Sequence, residues 1–128
     1  TMSKSILTIA SANGFLAVGL GAFSAHGLDT LVSADLLETF QTGVEYHMYH
    51  ALALFGTALL ALHFPDEKLL RVSTFLFLLG ILLFSGSLYV LSLSGMTWLR
   101  AIAPIGGSLL LAAWATLFWF GISSRDRH

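Results

Sequence analysis

The chain is predicted to be an all-α protein, a four-helix transmembrane bundle with an additional amphipathic helical segment before the second span, and three observations predict it. The 128 residues are 56 % hydrophobic and only 10 % charged, with a mean hydropathy of +0.83, too apolar for a soluble domain of that size. Four stretches free of Lys, Arg, Asp and Glu run approximately over 5–25, 46–64, 72–93 and 101–122. Each is long enough, at about 1.5 Å per residue, to cross a roughly 30 Å hydrocarbon layer. The few charges fall between or outside these stretches. No repeat, linker or low-complexity tract divides the chain, so residues 1–128 read as a single integral membrane domain, and its halves do not align as an inverted repeat.

The first stretch follows Lys4 and is read as an uncleaved span. Leu20-Gly-Ala22 and Phe23-Ser-Ala25 place a bulky residue where a signal peptidase needs a small one. Ala10, Gly14, Ala17 and Gly21 recur every three or four residues, a small-residue stripe that lets another helix approach. Asn13 lies beside the stripe and is expected to point at a neighbouring helix, because an amide facing lipid is costly. Glycines flanking His26 mark a turn. Ser33 or Asp35 then caps a new helix. Over 34–45 the apolar Leu36, Leu37, Phe40 and Val44 oppose Asp35, Glu38, Gln41 and Glu45, an amphipathic segment at the interface or over the bundle. Bending near Gly43 is left open.

The short charged connection Pro65–Arg71 makes the second and third spans antiparallel neighbours. In the third span Ser73, Gly80 and Ser87, with Phe77 and Phe84, form a packing face. Pro104 suits the first turn of the last helix, where its missing N–H is not needed, and Gly106-Gly107 permit close approach to that helix's backbone. Trp98 and Trp119 fall near opposite boundaries, as interfacial aromatics do. Lys4, Lys68, Arg71, Arg125 and Arg127 gather on one side and Arg100 stands alone on the other. A multi-pass protein with both termini cytoplasmic is expected from that asymmetry.

Four phrases, Gly21-Ala-Phe-Ser-Ala-His-Gly-Leu28, Thr42-Gly-Val-Glu-Tyr-His-Met-Tyr-His-Ala-Leu-Ala-Leu54, Leu83-Phe-Ser-Gly-Ser-Leu-Tyr89 and Ala103-Pro-Ile-Gly-Gly107, occur in order. Through them the chain closely resembles, over essentially its whole length, the small four-helix membrane family catalogued as domain of unknown function 423. The resemblance implies a bacterial inner-membrane protein with four spans, and its motif residues carry over onto His26, Tyr46, His47, His50, Ser85, Gly86, Pro104, Gly106 and Gly107. It supplies no activity.

Chemistry is expected in the polar half of the run Phe40–Phe64, where Gly43, His47, His50 and Leu54 share one helix face. The candidate ligand-binding residues are His26, Tyr46, His47, His50, Ser85, Arg100, Gly106 and Gly107, gathered near the outer face. His26, His47 and His50 are candidate metal ligands, neutral imidazoles of which the last two can aim at one point. Glu45 points about 200° away from His47 and is a poor third ligand. The bland alternative is imidazoles bonded to backbone or to the Ser85 hydroxyl, and His63 is most simply interfacial. Ala10, Asn13, Gly14, Ala17 and Gly21 are assigned to helix packing. With no cysteine, paired carboxylates or metalloprotease motif, the chain is read as non-enzymatic, and it identifies no cofactor. The near-neutral charge gives no footprint for nucleic acid. Its partners are the lipid bilayer and further copies of itself. The function expected is binding of a small molecule, lipid or ion at the histidine cluster. The alternatives are an accessory or structural role through helix packing, and a small channel or transporter, the last weakened by the lack of a mid-membrane acid.

Overall fold

The computed structural model describes residues 1–123. Four long helices are present, α1 (Met2–His26), α2 (Ala34–His63), α3 (Lys68–Ser94) and α4 (Ala103–Ser123), which cover 5–25 and 72–93 in full, 46–64 but for its last residue and 101–122 but for its first two. A single 3₁₀ turn at Leu28–Thr30 links α1 to α2, and another at Thr97–Ala101 leads into α4. Three helical stretches, Met2–His26, Lys68–Ser94 and Thr97–Ser123, are long and apolar enough to cross a membrane. The fourth, α2, is the longest at 30 residues and carries more polar side chains than any other helix.

The amphipathic segment and the second span are one uninterrupted helix. Ser33 caps it, its hydroxyl accepting the Leu36 N–H at 3.2 Å. Phe40 is fully buried while Asp35, Glu38, Gln41 and Glu45 are exposed, as the pattern over 34–45 requires. The helix passes Gly43 without a break because the glycine serves packing: a Cβ there would stand 3.0 Å from the Tyr89 ring. Helix α3 ends on Gly95, whose φ of 73° is the left-handed conformation glycine adopts freely.

Successive helices pack antiparallel, α1 on α2, α2 on α3 and α3 on α4. The tightest approach is between α3 and α4. A Cβ on Gly106 would lie 2.7 Å from the Leu83 carbonyl carbon, and one on Gly80 would lie 2.6 Å from the Leu110 side chain. Ser73, Phe77, Gly80 and Ser87 are buried, as the spacing predicts, while Phe84 is only half-buried. The α1 stripe divides: Ala10 and Ala17 are buried and Gly21 faces Val44, but nothing lies within 4 Å of a Cβ placed on Gly14. The core runs through Ile6, Leu54, Leu70, Phe77, Leu110 and Phe120. No described Asp, Glu, Lys or Arg is buried. Arg125 and Arg127, part of the charge asymmetry, lie outside the described residues.

Candidate functional site

His47 and His50 are both buried, at 4 % and 6 % exposure, on the face they share with Gly43 and Leu54. They do not aim at one point. Three residues of helix turn a side chain by about 300°, so the two rings diverge by about 60°, and each meets a different neighbour.

His47 joins three helices. Its Nε2 lies 2.9 Å from Asn13 Oδ1 on α1 and its Nδ1 2.8 Å from the Tyr89 hydroxyl on α3. Asn13 also donates from Nδ2 to the Ile9 carbonyl at 2.8 Å. A carbonyl only accepts, so the amide is oriented with Oδ1 toward the imidazole. His47 therefore donates from Nε2, and the neutral ring accepts the Tyr89 O–H at Nδ1. One hydrogen-bonded chain thus runs Tyr89, His47, Asn13, Ile9. Asn13 points at a neighbouring helix, and the partner it finds is His47.

His50 turns toward α4. Its Nδ1 lies 2.6 Å from the Tyr46 carbonyl, an acceptor, while Trp114 Nε1–H donates to its Nε2 at 3.1 Å. Those partners specify a neutral ring protonated at Nδ1. Phe77 and Trp114 pack around it, with ring centroids 5.8 and 6.0 Å from the imidazole. Trp114 stands half-way along α4 and Asn13 half-way along α1. The polar contacts therefore descend to the middle of the bundle, deeper than the outer boundary where they were expected.

The other expected site residues divide. Tyr46 is partly exposed, its ring 4.8 Å from Phe84 and stacked 6.2 Å from His50. Ser85 donates to the Gly43 carbonyl at 2.7 Å, tying α3 to α2 rather than bonding an imidazole. Gly106 and Gly107 face Phe84 of α3 and serve helix packing. His26 is exposed at the end of α1, and Arg100 is exposed on the 3₁₀ turn beside a depression of about 330 Å³ bordered by Thr39, Thr42 and Pro104. Neither joins the buried histidines. Among the described residues no three His, Asp or Glu converge as metal ligands, and every ring nitrogen of His47 and His50 is already engaged.

Two members of the site, Tyr89 and Trp114, are not singled out by the sequence reading. Tyr89 lies one turn beyond Ser85 on the same helix face, and a Trp in mid-span needs a partner for its indole N–H; both signals are visible in the sequence.

A groove of about 420 Å³ opens between α1 and α3 over this chain of bonds. Asn13, His47, Ser85 and Tyr89 border it, but the surface it exposes is almost wholly apolar, with Leu16 and Leu82 among its walls. Both leucines face outward, 52 % and 65 % exposed, on a surface that in a bilayer is lipid. No buried side-chain N or O among the described residues lacks a hydrogen-bond partner.

Comparison with known proteins gives a consistent picture. Residues 20–107 match the family described as "Protein of unknown function (DUF423)". The chain is 43 % identical over 125 residues to a UPF0382 membrane protein of Haemophilus influenzae, covering 98 % of this chain and 99 % of that protein. It is 44 % identical over 111 residues to the UPF0382 membrane protein YwdK of Bacillus subtilis, covering 87 % and 90 %. With the UPF0382 inner membrane protein YgdD of Escherichia coli K12 the identity is 40 % over 115 residues, covering 90 % and 87 %. No solved structure matches the chain.

Proposed function

Because the chain belongs to the DUF423 family of membrane proteins, we propose that it is a four-span inner-membrane protein that binds a small lipid-like molecule in the groove between α1 and α3. The observation that carries this reading is the groove itself: about 420 Å³ of almost wholly apolar space bordered by Asn13, His47, Ser85 and Tyr89, with Leu16 and Leu82 exposed at its walls. That volume falls within the roughly 300–1,000 Å³ of small-molecule sites, and an apolar lining with a few convergent polar groups is the usual composition of one. Polar groups at membrane depth are costly and more often mark a binding or transport path than decorate one. Binding, rather than catalysis, fits polar side chains that are occupied with one another.

Gentle purification followed by extraction and mass spectrometry of bound lipid tests the reading. A lipid species enriched in the wild-type protein is expected to be lost from the double variant Leu16→Trp/Leu82→Trp, which fills the groove from its exposed walls and leaves the polar chain in place. Identical extracts from the two proteins would remove the proposal.

A second reading, self-association, has one specific support. A Cβ placed on Gly14 of α1 meets nothing among the described residues within 4 Å, and small residues on such a face are what transmembrane helices use to meet.

A further inference from the structure

Of the two buried histidines, one can gain a proton and keep both its partners, and the other cannot. His47 meets the Tyr89 hydroxyl at Nδ1 and Asn13 Oδ1 at Nε2. A phenol both donates and accepts, so a proton added at Nδ1 is met by turning the Tyr89 O–H around. His50 has no such freedom. Its Nδ1–H is held by the Tyr46 carbonyl, and its Nε2 accepts from Trp114 Nε1–H at 3.1 Å. The indole nitrogen is a donor and never an acceptor. A proton added to His50 therefore sets N–H against N–H, and the Trp114 bond must break.

The surroundings offer the charged ring no counter-ion. Around it stand Tyr46 on its own helix, Phe77 on α3 and Trp114 on α4, of which Tyr46 alone carries a titratable group. His47, one turn earlier, is engaged with α1 and α3, and no described Asp, Glu, Lys or Arg is buried. An imidazolium here is attracted instead to an aromatic face, which Trp114 offers by turning its N–H away. The neutral and charged rings thus favour two different settings of one indole.

Trp114 is placed to make that turn felt. It is 48 % exposed and covers His50, which is 6 % exposed beneath it. Its ring stands edge-on to Phe77, with centroids 5.2 Å apart. Helix α4 packs along α3, and the Trp114–His50 bond ties it to α2 as well.

We propose that His50 and Trp114 form a proton-operated latch between α2 and α4, closed while the imidazole is neutral and released when it is protonated. Because the open form holds the extra proton, the latch adds to stability at high pH, and that contribution is lost as the pH falls through the titration of His50.

The test uses the full chain in phosphatidylcholine nanodiscs with Trp98→Phe and Trp119→Phe. Both replaced residues are exposed, and Trp114 is then the sole tryptophan of the original three. Its fluorescence is followed from about pH 8 to about pH 4, the range that brackets histidine titration, with far-UV circular dichroism alongside. One reversible step in emission is expected, with helix content unchanged. His50→Gln, whose carboxamide accepts the indole N–H and takes up no proton, should lose the step; His47→Gln should keep it. A step that survives His50→Gln belongs to another group and overturns the latch. No step across the range, or a step that coincides with loss of helix, overturns it too.

Thermal unfolding of the otherwise unaltered chain supplies a check that does not depend on replacing a histidine. Trp114→Phe keeps the ring and removes the N–H. It should lower the melting temperature at the alkaline end of the range, and the difference from wild type should vanish at the acid end. A difference that is the same at every pH means the bond is indifferent to protonation, and the latch is wrong.

Discussion

At the scale of single residues, Asn13 and His47 stabilise the bundle as a pair more than as individuals. With His47 gone, the Asn13 oxygen loses its donor; with Asn13 gone, the His47 Nε2–H is left pointing between helices without an acceptor. An orphaned polar group costs more than the net worth of its bond, whereas removing both partners is nearly neutral. Each of Asn13→Leu and His47→Leu should therefore destabilise the protein by about 0.5–2 kcal/mol. The double variant should lose clearly less than their sum, as read by thermal unfolding in one detergent. Strict additivity would mean the bond is not formed. The same accounting of lone pairs bears on metal. A histidine ligand needs a bare nitrogen aimed at the ion, and that of His50 accepts from Trp114 while that of His47 accepts from Tyr89. Added Zn²⁺ should leave the melting temperature unchanged, and a rise that His50→Ala removes would contradict this. Helix periodicity sufficed to put His47 and His50 on the buried face. It did not reveal that they part company, since the 60° between them matters only once the positions of α1 and α4 are known.

At the scale of helices, glycines that look alike in sequence do unlike things. Gly106 lies against the backbone of α3, and a methyl group there would overlap the Leu83 carbonyl carbon at 2.7 Å and Phe84 Cα at 2.8 Å. Backbone cannot rotate away as a side chain can, so Gly106→Ala must push α4 off α3. A loss of about 1–3 kcal/mol or more is expected, the range for overpacking a tight contact. Gly14→Ala meets nothing within 4 Å and should leave the melting temperature of the isolated chain unchanged. If α1 carries an interface between copies, Gly14→Leu should shift the population toward monomer in cross-linking or native mass spectrometry, and an unchanged distribution would dismiss that interface. The small-residue stripe was legible as spacing. Which of its members touch the chain's own helices was not, because the Ala10–Gly14–Ala17–Gly21 pattern is the same whether α2 or a second protomer lies against it.

At the scale of the whole molecule, the architecture was legible because the bilayer imposes it: backbone in hydrocarbon must bond to itself, and the span lengths follow. The element least secure by composition is α2, and its orientation provides the decisive test. Averaged along the chain it looks too polar to cross, yet its polar side chains His47, His50 and Thr57 are turned inward and bonded, while Leu52, Phe55, Leu59 and Leu62 face outward. In a crossing helix lipid would meet the outward set, not the average. Helix α2 also packs antiparallel between α1 and α3, each of which is long and apolar enough to span. If α2 crosses, Asp29 and Asp66, exposed residues flanking its two ends, lie on opposite sides of the membrane, and the asymmetry of Lys4, Lys68 and Arg71 against Arg100 makes Asp66 the expected cytoplasmic one. The chain has no cysteine, so Asp29→Cys, Asp66→Cys and Thr97→Cys are each the sole thiol. With a membrane-impermeant maleimide on intact cells, Asp29→Cys and Thr97→Cys should label, and Asp66→Cys should label only after lysis. The reverse pattern would invert the protein and put the polar chain nearest the cytoplasm. Labelling of Asp29→Cys and Asp66→Cys from the same side would mean that α2 does not cross, and its inward-facing histidines would then need another explanation.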